Sequence, residues 1–282
     1  MKIGIKIEMK IHGRTYMFPG KGPMHFVILV DVGNTSATMG LSADGSIVRR
    51  ERLLTVNNTA TSIRKSLKKL VGLRNATAAV FCSVVPRVNR RWLQELRRLV
   101  GGNIIVVSHK TRLGIGIAYP QPQTIGADRL ANACGAAWYY GVPGIVADFG
   151  TAATLDVISA SRAYTGGVIA PGPAIMTDCL TERTALLPAI RRSGRCGGIG
   201  KSTAEAMRIG AVVGYRGLVR EITGHLLKAM RSRSVTLCAT GGYAKEVLRG
   251  LDLPFIIDSD LTLRGLWRIH ELNRPCSVRR RR

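Results

Sequence analysis

Three aspartates in this chain stand where their neighbours would let them act on an anion. Asp31 follows the apolar run Phe26–Val30 and precedes Val32, Gly33, Asn34 and Thr35; Asp148 follows Gly144–Ala147 and precedes Phe149, Gly150 and Thr151. An apolar run of this length bounded by glycine reads as a buried strand, and the carboxyl end of such a strand is where α/β sheets carry ligand chemistry. The glycine lets the backbone turn sharply and approach a ligand. Successive N–H groups and the threonine hydroxyl can then face phosphate oxygens while the aspartate holds a cation. One such turn is merely a strand end, but two in one chain describe a phosphate site built twice, with nucleotide held between the halves.

The third aspartate lies between them, in Gly126-Ala127-Asp128-Arg129. An alcohol needs a proton acceptor and an anionic acceptor molecule needs a guanidinium, which suits arginine to bidentate carboxylate recognition. Asp128 and Arg129 supply both. The helix they open is lined with Ala131, Ala133, Cys134, Gly135, Ala136 and Ala137, so it is expected to pack closely and aim its first turn into the cleft. Its dipole favours the carboxylate anion, which makes Asp128 a weak base by expectation. That is tolerable in phosphoryl transfer, where the hydroxyl proton can leave late.

The elements that must hold these residues follow from periodicity. After Phe26 the pattern gives a strand, a Gly33 turn, a second strand over 36–41, an Asp44-Gly45 hairpin turn and a third strand over 46–54. Helical spacing follows over 62–73 and 89–100, with strands over 77–83 and 104–107. Gly126–Tyr140 reads as a helix, and at Gly144 the pattern restarts with strands over 145–148, 153–159 and 164–169. Helices around 174–180 and over 203–228 precede a strand over 235–239, the Thr240-Gly241-Gly242 turn and a helix over 243–249. Three meandering strands followed by alternating helix and strand match the ribonuclease H-like half of the actin and sugar-kinase ATPase superfamily. The expected fold is therefore α/β, two duplicated ribonuclease H-like domains with mixed five-stranded sheets flanked by helices. The expected boundaries are 26–125 and 126–273, with a basic tail over 274–282. Residues 1–25 read as an extension: Ile3, Ile5, Ile7, Met9 and Ile11 alternate with polar residues like a half-buried strand, and Gly13–Pro23 reads as turn and loop. Either an extra strand or an over-extended start before Met24 fits.

Composition narrows the class. The chain has 282 residues, 46% of them hydrophobic, enough for one large domain or two ordinary ones. No apolar stretch reaches the roughly 18 residues of a membrane span, and Lys2, Lys6 and Lys10 interrupt any secretory segment. Six cysteines form no C-x-x-C pair, and five histidines show no metal spacing. A soluble cytoplasmic protein with reduced thiols is expected. The net charge of +25, mostly from arginine, attracts polyanions through counterion release whatever the function. With 5% aromatic residues the basic runs read as solvated faces and a loose tail, so nucleic acid is expected only through nonspecific electrostatics. Two phosphate motifs fail. In Gly194–Ser202 the first P-loop glycine falls on Arg195 and no strand-to-helix unit opens; Leu113–Ala118 lacks the final glycine and the helix of a dinucleotide fingerprint.

Taken in order, Asp31–Thr35, Gly126–Arg129, Asp148–Thr151, Gly166-Gly167 through Pro171-Gly172, Thr184–Pro188 and Thr240–Gly242 resemble type III pantothenate kinase, over about residues 26–273. The resemblance implies ATP-dependent phosphorylation of pantothenate to 4′-phosphopantothenate, the opening step of coenzyme A synthesis. It implies a cytoplasmic homodimer that uses magnesium or another divalent cation together with potassium or ammonium. By motif, Asp31, Val32, Gly33, Asn34, Thr35, Ser36, Ala37 and Thr38 would form the first phosphate loop, with Asp31 near the divalent ion through water. Asp128 would be the general base. Gly126, Ala127, Asp128, Arg129 and Tyr119 would contact pantothenate, with Arg129 facing its carboxylate, and Thr184 would do so across the dimer. Asp148 matches the monovalent-cation ligand and Thr151 an ATP-phosphate contact. One departure is Ala153, where the family usually has threonine; it is expected to remove a cation or phosphate contact. A regulator or nucleic-acid-binding protein on the same scaffold, or a phosphatase of exopolyphosphatase type, are the competing readings.

Overall fold

The computed structural model describes residues 8–11, 14–17, 25–192 and 197–274. Glu8–Ile11 (β1) and Arg14–Met17 (β2) pair antiparallel as a hairpin of their own. The expected strand is thus found over 8–11, whereas 14–17, expected as turn or loop, is its partner strand. Residues 1–7 and 18–24 lie outside the described residues, as does the tail over 275–282.

Phe26–Val32 (β3), Ser36–Ala43 (β4) and Ser46–Leu54 (β5) form the first meander. Helix Ala60–Val71 (α1) starts at a Thr59–Ser62 capping box and turns Ile63, Leu67 and Leu70 inward at helical spacing. Ala76–Ser83 (β6), helix Pro86–Val100 (α2) and Ile104–Val106 (β7) complete a five-stranded sheet in the order β5-β4-β3-β6-β7, with β6 and β7 joining in parallel.

The second sheet has six strands rather than the expected five. Gly116–Ile117 (β8) lies ahead of helix Ala127–Tyr139 (α3) in the chain, and pairs in parallel with Ala163–Pro171 (β11). Gly144–Phe149 (β9) and Ala152–Ile158 (β10) pair antiparallel and carry the second meander into β11. Pro173–Arg183 (α4) and Thr203–Ile209 (α5) follow, then Tyr215–Met230 (α6), Thr236–Thr240 (β12), Ala244–Leu248 (α7), Ile256–Ile257 (β13) and Leu261–Asn273 (α8). The strand order is β13-β12-β9-β10-β11-β8. The single helix expected over 203–228 is broken by a wide turn at Gly210–Gly214, bounded by the two glycines, whose helix propensity is poor.

Five layers result. Ile28, Val30, Val32, Ile63, Leu67 and Trp92 form the core between the first sheet and α1–α2. Ile145, Ala147, Phe149, Val219 and Leu226 form the core between the second sheet and α6–α7. Between the two sheets lie α3 and α8, packed on Val27, Leu29 and Val80 of one sheet and on Val146, Ile158 and Cys238 of the other. Sequence reading gave no element after 249, so α8 is an addition and supplies the partner that the small residues of α3 demanded. A Cβ on Gly265 of α8 would lie 2.0 Å from the Ala131 carbonyl oxygen, and one on Gly135 would lie 2.9 Å from the Leu261 carbonyl oxygen. Only glycine permits this helix-to-helix approach.

Candidate active site

Strand alternation fixes which side chains enter the space between the sheets. On β3, Val27 and Leu29 face the middle layer, and Asp31 lies two residues further on the same face. On β9 and β10 the middle-layer face carries Val146, Asp148, Asp156 and Ile158. Asp128 sits in the first turn of α3, inside that layer. The three sequence-identified aspartates therefore share one cleft, and the charge of Asp128 is felt at both Asp31 and Asp148. Burial, then Asp128 and Asp148, push the Asp31 carboxyl up to about 8. Burial is the first cause at Asp148 as well, with Asp128 and Asp156 adding, and it is raised to about 6 although Asn132 opposes the shift.

Asp128 departs from the expectation of a weak base. Its Oδ1 accepts the Arg129 amide at 2.7 Å, as a helix N-terminus allows, yet burial outweighs that hydrogen bond and the carboxyl is raised. A Cβ on Gly126 would lie 2.5 Å from the same Oδ1, so glycine there leaves the carboxylate its place.

The two phosphate loops meet. Thr35 Oγ1 and Thr151 Oγ1 are 2.7 Å apart. The first loop closes on itself through the Gly33 amide, which donates to Ser36 O at 3.0 Å, and Thr55 anchors it by donating its hydroxyl to Gly33 O at 2.6 Å. Val32 and Ala37 are buried, whereas Asn34 and Thr35 are exposed and Thr38 lies opposite Asp31 across the β3–β4 ladder. Thr240-Gly241-Gly242 ends the neighbouring strand β12. Gly241 has φ +94°, and a Cβ there would lie 2.5 Å from Asp148 Oδ1 and from the Phe149 carbonyl oxygen. The turn thus covers Asp148, and Gly242 beyond it borders open space.

Asp148 is held on its other side by Asn132 of α3, whose Nδ2 donates to Oδ2 at 2.8 Å while its Oδ1 accepts from Thr262 of α8 at 2.7 Å. Directly across the antiparallel ladder from Asp148 is Thr154, whose hydroxyl is buried without a partner among the described residues. Asp31 Oδ1 is likewise buried and unpartnered. These orphaned oxygens fit cations. No cluster of three or more His, Cys, Asp or Glu side chains converges at metal-ligating range among the described residues.

Ala153 contradicts the consequence expected of it. It is fully buried with Phe149 and Leu155 on the face packed against α6, opposite the face of Thr154 and Asp156. A hydroxyl at 153 would enter the outer core, so alanine there removes no contact from the cleft.

Arg129 is tied to a residue the sequence did not reveal. Its Nε and Nη2 both reach Asp156 Oδ1, at 2.9 and 2.6 Å, and Asp156 also accepts from the Tyr164 hydroxyl at 2.8 Å. Tyr119 meets Tyr164 edge to face with ring centroids 6.1 Å apart, so Tyr119, Tyr164, Asp156 and Arg129 form one patch. A carboxylate in the middle of the apolar strand Leu155–Ile158 was the available signal for Asp156. Thr184 is not brought to this patch: it is exposed at the end of α4 and donates to Leu180 O at 2.8 Å. The glycine-rich segment before α5 follows no strand, and its residues 194–196 lie outside the described residues.

A family model described as type III pantothenate kinase matches residues 27–225. The chain is 46% identical over 239 residues to a type III pantothenate kinase of Akkermansia muciniphila, covering 85% of this chain and 96% of the relative. It is 39% identical over 251 residues to a type III pantothenate kinase of Thermus thermophilus, covering 86% and 98%. Among solved structures it resembles a conserved putative Baf family transcriptional activator from Campylobacter jejuni, with a TM-score of 0.57, 21% identity and coverage of 87% and 98%. A putative 2-dehydro-3-deoxygalactonokinase from Sinorhizobium meliloti gives a TM-score of 0.55 at 15% identity, over 88% and 97%. These structural likenesses show the fold, an α/β arrangement of two mixed sheets flanked by helices. Among the described residues no helix is long and apolar enough to cross a membrane.

Proposed function

The chain belongs to the type III pantothenate kinase family, and we propose that its reaction, ATP-dependent phosphorylation of pantothenate to 4′-phosphopantothenate, runs in the cleft between the two sheets. The observation that carries this reading is the meeting of both phosphate loops at Thr35 and Thr151, beside Asp31, Asp128 and Asp148. Residues 31–38 and Thr151 cradle the ATP phosphates with backbone N–H groups and hydroxyls. Asp128, raised by burial, accepts the proton of the pantothenate hydroxyl as its oxygen bonds to the γ-phosphorus and the bond to ADP breaks.

Arg129, oriented by Asp156 and Tyr164, draws in the pantothenate carboxylate, and Tyr119 borders the same patch. Asp31 would hold a divalent ion through water, and Asp148 with the Thr154 hydroxyl would hold the monovalent one. Such ions supply neutralisation of the phosphate charge. A homodimer is the proposed assembly, with Thr184 reaching the partner's site; exposed Ile175, Leu180 and Leu186 on and after α4 supply apolar surface beside it. Cytoplasmic location is part of the same reading.

Release of ADP by purified protein with ATP, magnesium and pantothenate, in potassium and in sodium, tests it. Pantothenate-dependent release that needs potassium supports the kinase and its cation site. Release independent of pantothenate would point to a hydrolase. Asp128→Asn is expected to lower kcat by about 10²- to 10⁴-fold with ATP binding retained.

A further inference from the structure

On the face of the first sheet opposite Asp31, α1 and α2 lie side by side, and together they carry nine basic side chains against one acidic one. All nine are exposed, while Ile63, Leu67, Leu70, Trp92 and Leu96 of the same helices are fully buried. The outer stripe of α2 runs Arg87, Arg90, Arg91, Gln94, Arg97, Arg98 at the i, i+3, i+4 spacing of one helix face. The single acid, Glu95, is turned inward. It accepts from Arg64 Nε and Nη2 at 2.8 and 3.1 Å and pairs with Arg98, so one buried carboxylate fixes two guanidinium groups that remain half-exposed. Between the helices is a cavity of about 330 Å³, lined by Arg64, Leu67, Lys68, Glu95, Arg98 and Leu99. Its charged lining keeps a cationic excess after Glu95 is counted. Lys65, Lys68, Arg87, Arg90 and Arg97 have no partner among the described residues.

We propose that this α1–α2 face binds the phosphate backbone of duplex nucleic acid without reading its sequence. The helices span about 18 and 22 Å at 1.5 Å per residue, against one duplex phosphate per ~1.7 Å of axis, so several phosphates fall within reach of the stripe. Groups pre-set by Glu95 suit planar, bidentate phosphate contacts. The two helices have no exposed aromatic side chain on which single-stranded bases would stack. They also lack an exposed large apolar residue of the kind that seats a helix in a lipid interface; the exposed Val56 and Leu73 lie outside the helices, before and after α1. The face lies across the sheet from the catalytic cleft, so binding and turnover are compatible.

The test is fluorescence anisotropy of a labelled 20-base-pair DNA duplex with the full chain over a salt series. The variant is Lys65→Gln/Lys68→Gln/Arg90→Gln/Arg97→Gln. The control, of equal charge change, is Arg220→Gln/Lys228→Gln/Arg233→Gln/Arg249→Gln in the second half. Affinity is expected to fall at least tenfold in the α1–α2 variant, with the slope of log K against log salt flatter by about 3, while the control binds like the wild type and both retain ADP release. Equal losses in the two variants would overturn the proposal in favour of diffuse charge or the basic tail. Absence of duplex binding by the wild type at 100 mM salt would overturn it too, as would tighter binding to phosphatidylserine vesicles than to duplex.

Discussion

The hydroxyl of Thr35, after β3, lies 2.7 Å from the hydroxyl of Thr151, after β9, so the two halves of the duplicated pattern touch through the threonines of their turns. Each hydroxyl satisfies the other where phosphate oxygens would replace both contacts. Thr151→Ala is expected to lower kcat/KM for ATP by about 10- to 100-fold with little change in the pantothenate KM. Because the two residues act as a pair, Thr35→Ala/Thr151→Ala should cost less than the sum of the single changes. Steady-state kinetics on the four proteins measures the coupling, and strict additivity would show that the loops act separately.

Asp156 should behave as a positioning residue for Arg129. Removing its carboxylate leaves a largely buried guanidinium unpaired and free to turn, so Asp156→Asn is expected to raise the pantothenate KM by about tenfold or more, at a stability cost of about 3 kcal/mol. Tyr164→Phe removes one hydrogen bond and keeps the ion pair, so its effect should be smaller. A change in ATP KM with pantothenate KM unmoved would place Arg129 at the nucleotide.

The pH dependence of stability without ligands follows from Asp31 and Asp148. Their folded values, about 8 and about 6, lie above the ordinary carboxylate value of 3.8. Above pH 4 the unfolded chain releases protons that the folded chain keeps, so stability is full below that value and is lost as pH rises through the folded values. Asp31→Asn should therefore melt closer to its own low-pH temperature at pH 8.5 than the wild type does. Thermal melts at pH 5 and 8.5 test this, and an identical decline in the variant would remove Asp31 as the cause.

Ala153→Thr restores the residue usual in the family, yet no gain in kcat is expected, because residue 153 faces α6 rather than the cleft. A threonine there puts a hydroxyl into a packed apolar core, and melting should show a loss of about 1–3 kcal/mol. A rise in potassium-dependent turnover would mean that the β9–β10 loop is arranged differently during catalysis.

The chain's own pattern was enough for both meanders and for the Asp31, Asp128 and Asp148 triad, since each depends on local chemistry: an apolar strand, a glycine turn and a hydroxyl, or a charged first helical turn. Periodicity also gave α1, α2 and α3 to within a few residues. It missed α8, although Leu263, Leu266, Trp267 and His270 are spaced for a helix. It likewise passed over β8, which is too short to carry a period and exists as a strand only because β11 offers it an edge.

The sequence by itself determined which residues could hold phosphate, accept a proton or bind a carboxylate. Alternation within β10 even required that residues 153 and 154 point to opposite faces. Only the tertiary structure decided which face meets the cleft, because that depends on α3 and α8 wedging between the sheets while α6 covers the other side. The same packing paired Arg129 with Asp156 and raised Asp128 against the pull of its helix dipole. Desolvation and pairing belong to the surroundings of a side chain, and those surroundings come from segments far away in the sequence.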